Sequence, residues 1–307
     1  MNALHLVTTC LLFILTIINC ESSQKIPKEN SEKKTKMLQT NGPEFNKYWY
    51  SGKAELNSYD LRQERYGELR DGEVVLVFVT EPFSAQKQVK LDYPQRAGTD
   101  KVDVMKLNHL RKFPTGIYDY SVLTSTFTPL DTKQHPYTLK STTSIQEWCG
   151  QTFTQFNLNN NQYKLTQYSY FESEADSAEK ITAALLEDEL MTRIRINEGV
   201  LPEGEIELIP STIYSRFAHN DISPTKAKIT KSMSDTKMTY TVDYNEINRR
   251  LIIDVEHAFP YKILGWSEEN GSQLITTATL RKTLMEPYWN QNSVAHESKR
   301  ATFQLDK

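Results

Sequence analysis

The most regular feature of the chain is an alternation of apolar and polar residues that recurs in its second half. It is clearest over residues 238–244, 251–255 and 274–280. A period of two predicts strands with one buried face, and such strands are typical of an antiparallel sheet that is wetted on one side. The continuous apolar run over residues 73–79 instead predicts a strand covered on both faces, and Asp71-Gly72 predicts a turn before it.

Shorter patterns predict further strands. Asn270-Gly271 is a strong two-residue hairpin signal between Ile263-Leu264 and the alternating residues from Leu274 onward. Gly150 predicts a bulge inside one long strand. One further strand is predicted from Phe45 to Leu56. The others are predicted over residues 102–110, 117–127, 139–158 and 163–171.

One helix is predicted, over residues 176–197. Asp176 and Glu179 have the spacing of a capping box, and Gly199 with Pro202 ends the segment. Polar residues occupy the side opposite the apolar ones, so the pattern indicates an amphipathic helix lying on a sheet. The apolar residues that recur along its buried side are Ile181, Leu185, Leu186, Leu190 and Ile194.

These elements predict a mainly β fold, a β-rich α+β protein. We expect a large curved antiparallel sheet, or a two-sheet half-barrel, with one amphipathic helix packed on it. Residues 45–307 then form a single β-rich domain, or two sub-domains that meet near residues 176–204. The one-sided strands offer more apolar surface than one helix covers, because a helix is only about 10 Å wide. A curled sheet would leave an apolar groove beside the helix, whereas a closed sandwich would fill it.

The start of the chain is an apolar run over residues 4–20 that ends at Cys20, and a polar tract follows at once. The run is shorter than the roughly 20 residues of a membrane span and is typical of a secretory signal. We therefore predict a lipoprotein signal peptide over residues 1–20, acylation of Cys20, and a disordered charged tether over residues 21–44. An ordinary cleaved signal or an uncleaved anchor is the alternative, since residues 1–3 contain no Lys or Arg.

The net charge limits the partners that are expected, and the cysteine count limits the disulfides. The net charge of −3 favours neither nucleic acid nor a strongly basic membrane-binding surface. Of the three cysteines, Cys10 lies in the signal and Cys20 would carry lipid. Cys149 then remains alone, so the mature chain forms no internal disulfide.

Catalytic and metal-binding patterns are scarce. Cys149 is the sharpest candidate nucleophile, but its strand-like surroundings predict a shielded structural thiol rather than one activated by a base. The histidines are scattered singly, so no metal site is predicted, and no phosphate-binding or dinucleotide motif indicates a cofactor. The carboxylate pairs Glu187/Asp188 and Glu268/Glu269 are interpreted as solvated charges on a helix face and in a turn. The aromatic groups Tyr48-Trp49-Tyr50, Tyr168/Tyr170/Phe171 and Tyr288-Trp289 indicate strand packing or, alternatively, a ligand surface.

Two stretches, residues 113–118 and 135–155, carry a resemblance to a known family. With the core Thr-Thr-Ser-Ile-Gln-Glu-Trp-Cys-Gly-Gln at residues 142–151, the chain resembles an uncharacterised lipoprotein family of Gram-negative bacteria over most of residues 45–305. Some members are labelled septum formation inhibitor Maf. The Ser-x-Ser-Pro-Arg-Arg motif of Maf pyrophosphatases is absent, because Thr225-Lys226 follows Ser223-Pro224. The resemblance implies a lipoprotein and supplies no catalytic residue.

We therefore expect an envelope lipoprotein held at a membrane by an N-terminal lipid, on the periplasmic face of the outer membrane or else at the cell surface. The expected function is non-catalytic binding of a lipid-like or glycan component of the envelope. A structural or assembly partner of another envelope protein is the first alternative. A hydrolase that uses Cys149 is the second.

Replacing Cys20 by Ala tests the anchor. A chain without this thiol has no site for the lipid, so it is expected to move from the detergent phase to the aqueous phase in detergent partitioning. Cys10→Ala is the matched control, because Cys10 lies within the segment that processing removes. Unchanged partitioning of the Cys20→Ala chain would contradict acylation at this position.

Overall fold

The computed structural model describes residues 42–305, and most of these residues lie in fifteen strands of one sheet. The predicted mainly β fold with a large curved sheet is confirmed. The strands are β1 (Ala54–Arg65), β2 (Glu68–Ser84), β3 (Lys101–Thr115), β4 (Tyr118–Pro129), β5 (Lys140–Glu147), β6 (Gly150–Asn159), β7 (Gln162–Ser169), β8 (Ser177–Thr182), β9 (Leu185–Leu186), β10 (Gly204–Ile209), β11 (Thr225–Met233), β12 (Lys237–Tyr244), β13 (Arg249–Glu256), β14 (Ile263–Glu269) and β15 (Ile275–Glu286).

The sheet consists of two meanders joined at the pair formed by β1 and β15. Strands β1 to β8 follow one another in chain order on one side, and β15 back to β9 follow on the other. All neighbours are antiparallel except β9 and β10. Hairpin connections explain this order, since short turns join only antiparallel strands. The sheet stays open, and β8 and β9 form its two edges.

Four short α-helices accompany the sheet: α1 (Pro43–Trp49), α2 (Leu190–Ile196), α3 (Thr212–Ala218) and α4 (Lys299–Thr302). Short 3₁₀ turns occur at Pro94–Arg96, Gly98–Asp100, Glu187–Glu189, Tyr288–Asn290 and Val294–His296. Within residues 42–305, the structure contains no helix with the length and hydropathy needed to cross a membrane.

The sheet curls strongly around α2. Strands β3 and β14 are four strand positions apart, which is about 19 Å along a flat sheet. Nevertheless the rings of His109 on β3 and Trp266 on β14 lie 5.5 Å apart. Leu190 and Ile194 of α2 are fully buried and belong to the same core cluster as side chains from both meanders. The concave face of the sheet therefore surrounds the main core.

The predicted helix over residues 176–197 is wrong in most of its length. Residues 177–182 form β8, which pairs with β7, and Leu185-Leu186 pairs in parallel with β10. Only α2 and the preceding 3₁₀ turn retain helical backbone. Pairing with neighbouring strands supplies the backbone hydrogen bonds here, and this tertiary contact overrides the apolar spacing.

Four smaller predictions also fail. The two-residue turn expected at Asn270-Gly271 is a loop over residues 270–274, because β14 ends at Glu269 and β15 begins at Ile275. The first part of the strand expected from Phe45 to Leu56 is helix α1, which starts with Pro43 in its first turn and buries Phe45 and Trp49, and only the part from Ala54 onward lies in β1. The single strand over residues 139–158 is a hairpin, β5 and β6, and its turn lies just before Gly150. The turn before the strand at residues 73–79 lies at Tyr66-Gly67, where both residues have positive φ, so Asp71-Gly72 is inside β2.

Gly72→Ala is expected to destabilise the protein by roughly 1–3 kcal/mol, the usual range for overpacking a filled site. A Cβ at this position would lie 2.3 Å from the carbonyl oxygen of Lys112 and 2.8 Å from the Cβ of Phe113. The urea midpoint of unfolding measures the effect. The neighbouring Asp71→Ala serves as control, because Asp71 makes only an exposed ion pair with Arg62. Equal midpoints for the two variants would contradict this explanation of Gly72.

Candidate functional site

The concave interior contains a chain of buried ion pairs instead of an open apolar groove. Arg111 donates to Glu268 Oε1 at 2.7 Å, and Arg249 Nη2 lies 3.8 Å from Glu268 Oε2. Arg249 also donates through Nε to Glu187 Oε2 at 2.9 Å. All four side chains are at least nine-tenths buried. The interpretation of Glu187 and Glu268 as solvated charges is therefore wrong.

A second ion pair anchors α2 to β1. The Arg195 guanidinium donates to the carboxylate of Glu55, and both side chains are fully buried. Asn57 Nδ2 donates to Glu55 Oε1 at 2.8 Å, and the hydroxyl of Tyr48 donates to the other oxygen. Burial alone would raise the pKa of Glu55, but the Arg195 charge and these hydrogen bonds hold it below its usual value. The carboxylate stays charged and paired.

The same balance between burial and neighbouring charges determines the pKa values in and beside the network of Arg111, Glu268, Arg249 and Glu187. Burial would raise the pKa of Glu268, but Arg111 and Arg249 lower it to about 2. Burial, with a smaller contribution from the Arg111 charge, lowers the pKa of His109 to about 3, so its imidazole is neutral at pH 7. Burial raises the pKa of Asp188, which accepts a hydrogen bond from Thr212 Oγ1 at 2.7 Å.

His109 and Asp188 border a cavity of about 30 Å³ beside this network. A space of that size holds about one water molecule and excludes an organic ligand. We therefore assign the buried network a structural role, which is to join β3, β13, β14 and the 3₁₀ turn before α2. The groove expected between the sheet and the helix over residues 176–197 is filled by these side chains.

An apolar groove does exist, but it lies on the outer face of the sheet. Residues 288–305, here the C-terminal segment, cross this face and enclose a cavity of about 460 Å³. Ser58 Oγ donates to the carbonyl of Phe303 at 2.8 Å, and Arg281 donates to the carbonyl of Gln304 at 2.7 Å. Phe303 is buried under the segment. The floor of this outer groove consists of Leu56, Val75, Val77, Leu110 and Leu284.

The outer groove opens at one end onto a polar basin of about 890 Å³, and the two spaces share Glu73, Lys112 and Arg300. Glu73 lies 3.8 Å from the Arg281 guanidinium, which partly balances its charge. On the other side of the groove, Lys299 lies 3.2 Å from Glu286. Lys112 is exposed and forms no ion pair with any residue between 42 and 305. The mouth of the groove therefore places the Lys112 ammonium beside an apolar floor, and the adjoining basin is also lined by Asp60, Asp71 and Asp119.

Cys149 lies at the tip of the β5–β6 hairpin and is exposed. The prediction of a shielded thiol is wrong, because the chain turns at this position instead of continuing as a strand. The carboxylate of Glu147 raises the pKa of the thiol by hydrogen bonding and charge. No histidine lines the cleft that contains Cys149 among the described residues. A raised pKa is the opposite of what a nucleophilic cysteine requires.

In the described part of the chain, no group of three or more His, Cys, Asp or Glu side chains is placed to hold a metal ion. Cys20 and the predicted signal and tether up to residue 41 lie outside the described residues.

Sequence reasoning missed the outer groove. Its only sign was the unbroken apolar run at residues 73–79, which indicated a strand covered on both faces.

Comparison with models of known protein families finds none that matches the chain, and comparison with curated proteins finds no match either. The resemblance of residues 113–118 and 135–155 to a lipoprotein family therefore stays a prediction from those residues.

Arg249→Met is expected to destabilise the fold by about 3–5 kcal/mol, because it leaves the buried charges of Glu187 and Glu268 short of a partner. Arg250→Met is the matched control. Arg250 is the next residue in β13, but its side chain is about half exposed and pairs with Asp243 at the surface. Such a pair contributes about 0–1 kcal/mol. Chemical denaturation of both variants measures the difference, and similar losses would refute a structural role for the buried network.

Proposed function

We propose that this chain is a non-catalytic binding module that takes an amphipathic, lipid-like molecule with an anionic head group into the outer groove. The observation that carries the proposal is the apolar floor beneath the C-terminal segment. Its volume of about 460 Å³ falls within the roughly 300–1,000 Å³ of ordinary small-molecule pockets.

The register of the sheet explains why the floor is continuous. Leu284, Leu56 and Val77 are direct cross-strand neighbours on β15, β1 and β2. Val75 and Leu110 form the adjoining row on β2 and β3. Neighbouring strands lie about 4.8 Å apart, so the two rows make an apolar surface that extends from β15 to β3, with Asn108 beside Val77 at its edge. A hydrocarbon chain fits this surface, because burial of its apolar area stabilises the bound state and the chain requires no hydrogen bonds.

Charge at the groove mouth favours an anionic head group. Lys112 and Arg300 stand where the apolar groove meets the polar basin, so a tail on the floor would bring its head to these side chains. Carboxylate and phosphate groups accept charge-assisted hydrogen bonds from both residue types. The basin also offers carboxylates such as Asp119, so a head group with additional hydroxyl or amino groups is compatible with it.

The proposal includes the expected location. A chain acylated at Cys20 and held at the periplasmic face of the outer membrane would meet such amphiphiles in its own membrane. A hydrolase that uses Cys149 is less consistent with the thiol's raised pKa and with its position away from the outer groove.

Binding of a fluorescent dansyl fatty acid, and its displacement by palmitate, tests the proposal on a chain that starts at residue 20 with Cys20→Ser. Leu110→Asn is expected to weaken binding by roughly tenfold, because a leucine contact contributes about 1.5–3 kcal/mol when fully buried. Leu123→Asn is the control, since Leu123 is the cross-strand neighbour of Leu110 on β4 and lies outside the groove lining.

Head-group recognition is tested with the same protein. Lys112→Glu is expected to weaken palmitate more than lysophosphatidylcholine of equal chain length, because only the first ligand carries a net negative charge. A wild-type protein that leaves the probe unbound would refute the proposal, and so would a Leu110→Asn variant that binds as the wild type does.

A further inference from the structure

A second cleft, of about 600 Å³, lies on the outer face of the sheet between the β5–β6 hairpin and the end of β7. It is distinct from the outer groove and shares no lining residue with it. Leu110 of the groove and Phe153 of the cleft are separated by three strand positions, or about 15 Å. We call this space the aromatic cleft, because Phe153, Tyr168 and Tyr170 form its apolar surface.

Tyr170 forms an exposed platform that packs against Gly150. A Cβ built on Gly150 would lie 2.5 Å from Tyr170 Cδ1, so the ring packs directly against this glycine. The side chain is nevertheless 73% exposed. Phe171 contacts it edge-on at a centroid distance of 5.6 Å. Tyr168, the cross-strand neighbour of Phe153, is 54% exposed, so a second ring is accessible beside the platform.

The polar side chains of the aromatic cleft are mostly amides and carboxylates, together with the Ser169 hydroxyl and the Cys149 thiol. Glu147 accepts a hydrogen bond from the backbone of Cys149 at 2.8 Å, and Asp176 accepts one from the backbone of Ser169 at 3.0 Å. These bonds hold both carboxylates in place and leave further lone pairs for a ligand. No Lys, Arg or His lines the cleft among the described residues. An anionic ligand would therefore be repelled.

We propose that the aromatic cleft binds a neutral oligosaccharide whose sugar rings carry equatorial hydroxyl groups. The flat C–H face of such a sugar matches an exposed tyrosine ring, since that ring offers an apolar body with a polar tip. The hydroxyl groups of the sugar edge can donate to Glu147 and Asp176 and can exchange hydrogen bonds with Gln146 and Gln151.

A quaternary ammonium ion is the competing ligand, because aromatic rings and carboxylates also attract cations. It is less well matched to this site. A trimethylammonium group cannot use the hydrogen-bonding capacity of Gln146 and Gln151, and a cleft of about 600 Å³ is large for so small a group. The observations therefore favour the sugar.

Isothermal titration calorimetry on the full-length protein in a detergent without a sugar head group tests the proposal, with cellohexaose and chitohexaose as probes. We expect the wild type to bind at least one of them. Tyr170→Ala should weaken this binding about tenfold, in line with the free energy of one aromatic contact. Tyr93→Ala is the control, because Tyr93 is 60% exposed but lies outside the cleft.

Gly150→Ala provides a sharper variant, since it removes no group that would touch the sugar. The new methyl group requires Tyr170 to move, so this variant should also weaken sugar binding while its unfolding midpoint monitors the fold. Absence of binding to both sugars would overturn the proposal. Binding that survives Tyr170→Ala would do the same, as would selective binding of tetramethylammonium. None of these three results bears on the outer groove, because the fatty-acid assay uses other residues.

Discussion

The curvature of the sheet depends on charges that are buried inside it. Arg111, Glu268, Arg249 and Glu187 form a connected chain between the two meanders, and Arg195 attaches α2 to Glu55. Buried charges are costly unless they are paired, so each of these residues requires its partner to be brought close. A flatter sheet would separate Arg111 from Glu268 and leave both charges without compensation. The ion pairs thus select one degree of curl among the many that an apolar core alone would allow.

Filling the interior in this way moves the available ligand space to the outer face. Strand β2 shows the division, because Val74, Leu76 and Phe78 point to the core while Val75 and Val77 point to the outer groove. The C-terminal segment then covers part of this apolar surface. Backbone carbonyls of the segment accept hydrogen bonds from the sheet. The segment is therefore held by its backbone as well as by the side chain of Phe303.

The outer groove and the aromatic cleft lie on the same face of the sheet. Cross-strand pairing connects them through one row of side chains that runs across β2 to β7. This row consists of Val75, Leu110, Leu123, Ser144, Phe153 and Tyr168. Leu123, in the middle, is 39% exposed. The row therefore places the floor of the outer groove and the aromatic cleft along one line of the sheet.

The sequence by itself determined the strands whose partners are local. The period of two over residues 238–244 and 251–255 reappears in β12 and β13. Strands β14 and β15 form the hairpin expected around Asn270-Gly271, but its loop covers the five residues 270–274 instead of two. An alternating strand is predictable because its pattern is specified by adjacent residues. The unbroken apolar run at residues 73–79 also predicted a strand covered on both faces. It did not indicate which residues cover the outer face of that strand.

Only the tertiary structure decided the features that depend on distant partners. Residues 177–182 have helix-like apolar spacing, but β7 pairs with them and makes them a strand. Glu187 and Glu268 look like surface carboxylates until Arg249 and Arg111, distant in the chain, come within bonding distance. The burial of a charge depends on its spatial neighbours and not on its sequence neighbours. For that reason local patterns predicted the sheet, while the charged interior and the outer groove could be recognised only in the folded chain.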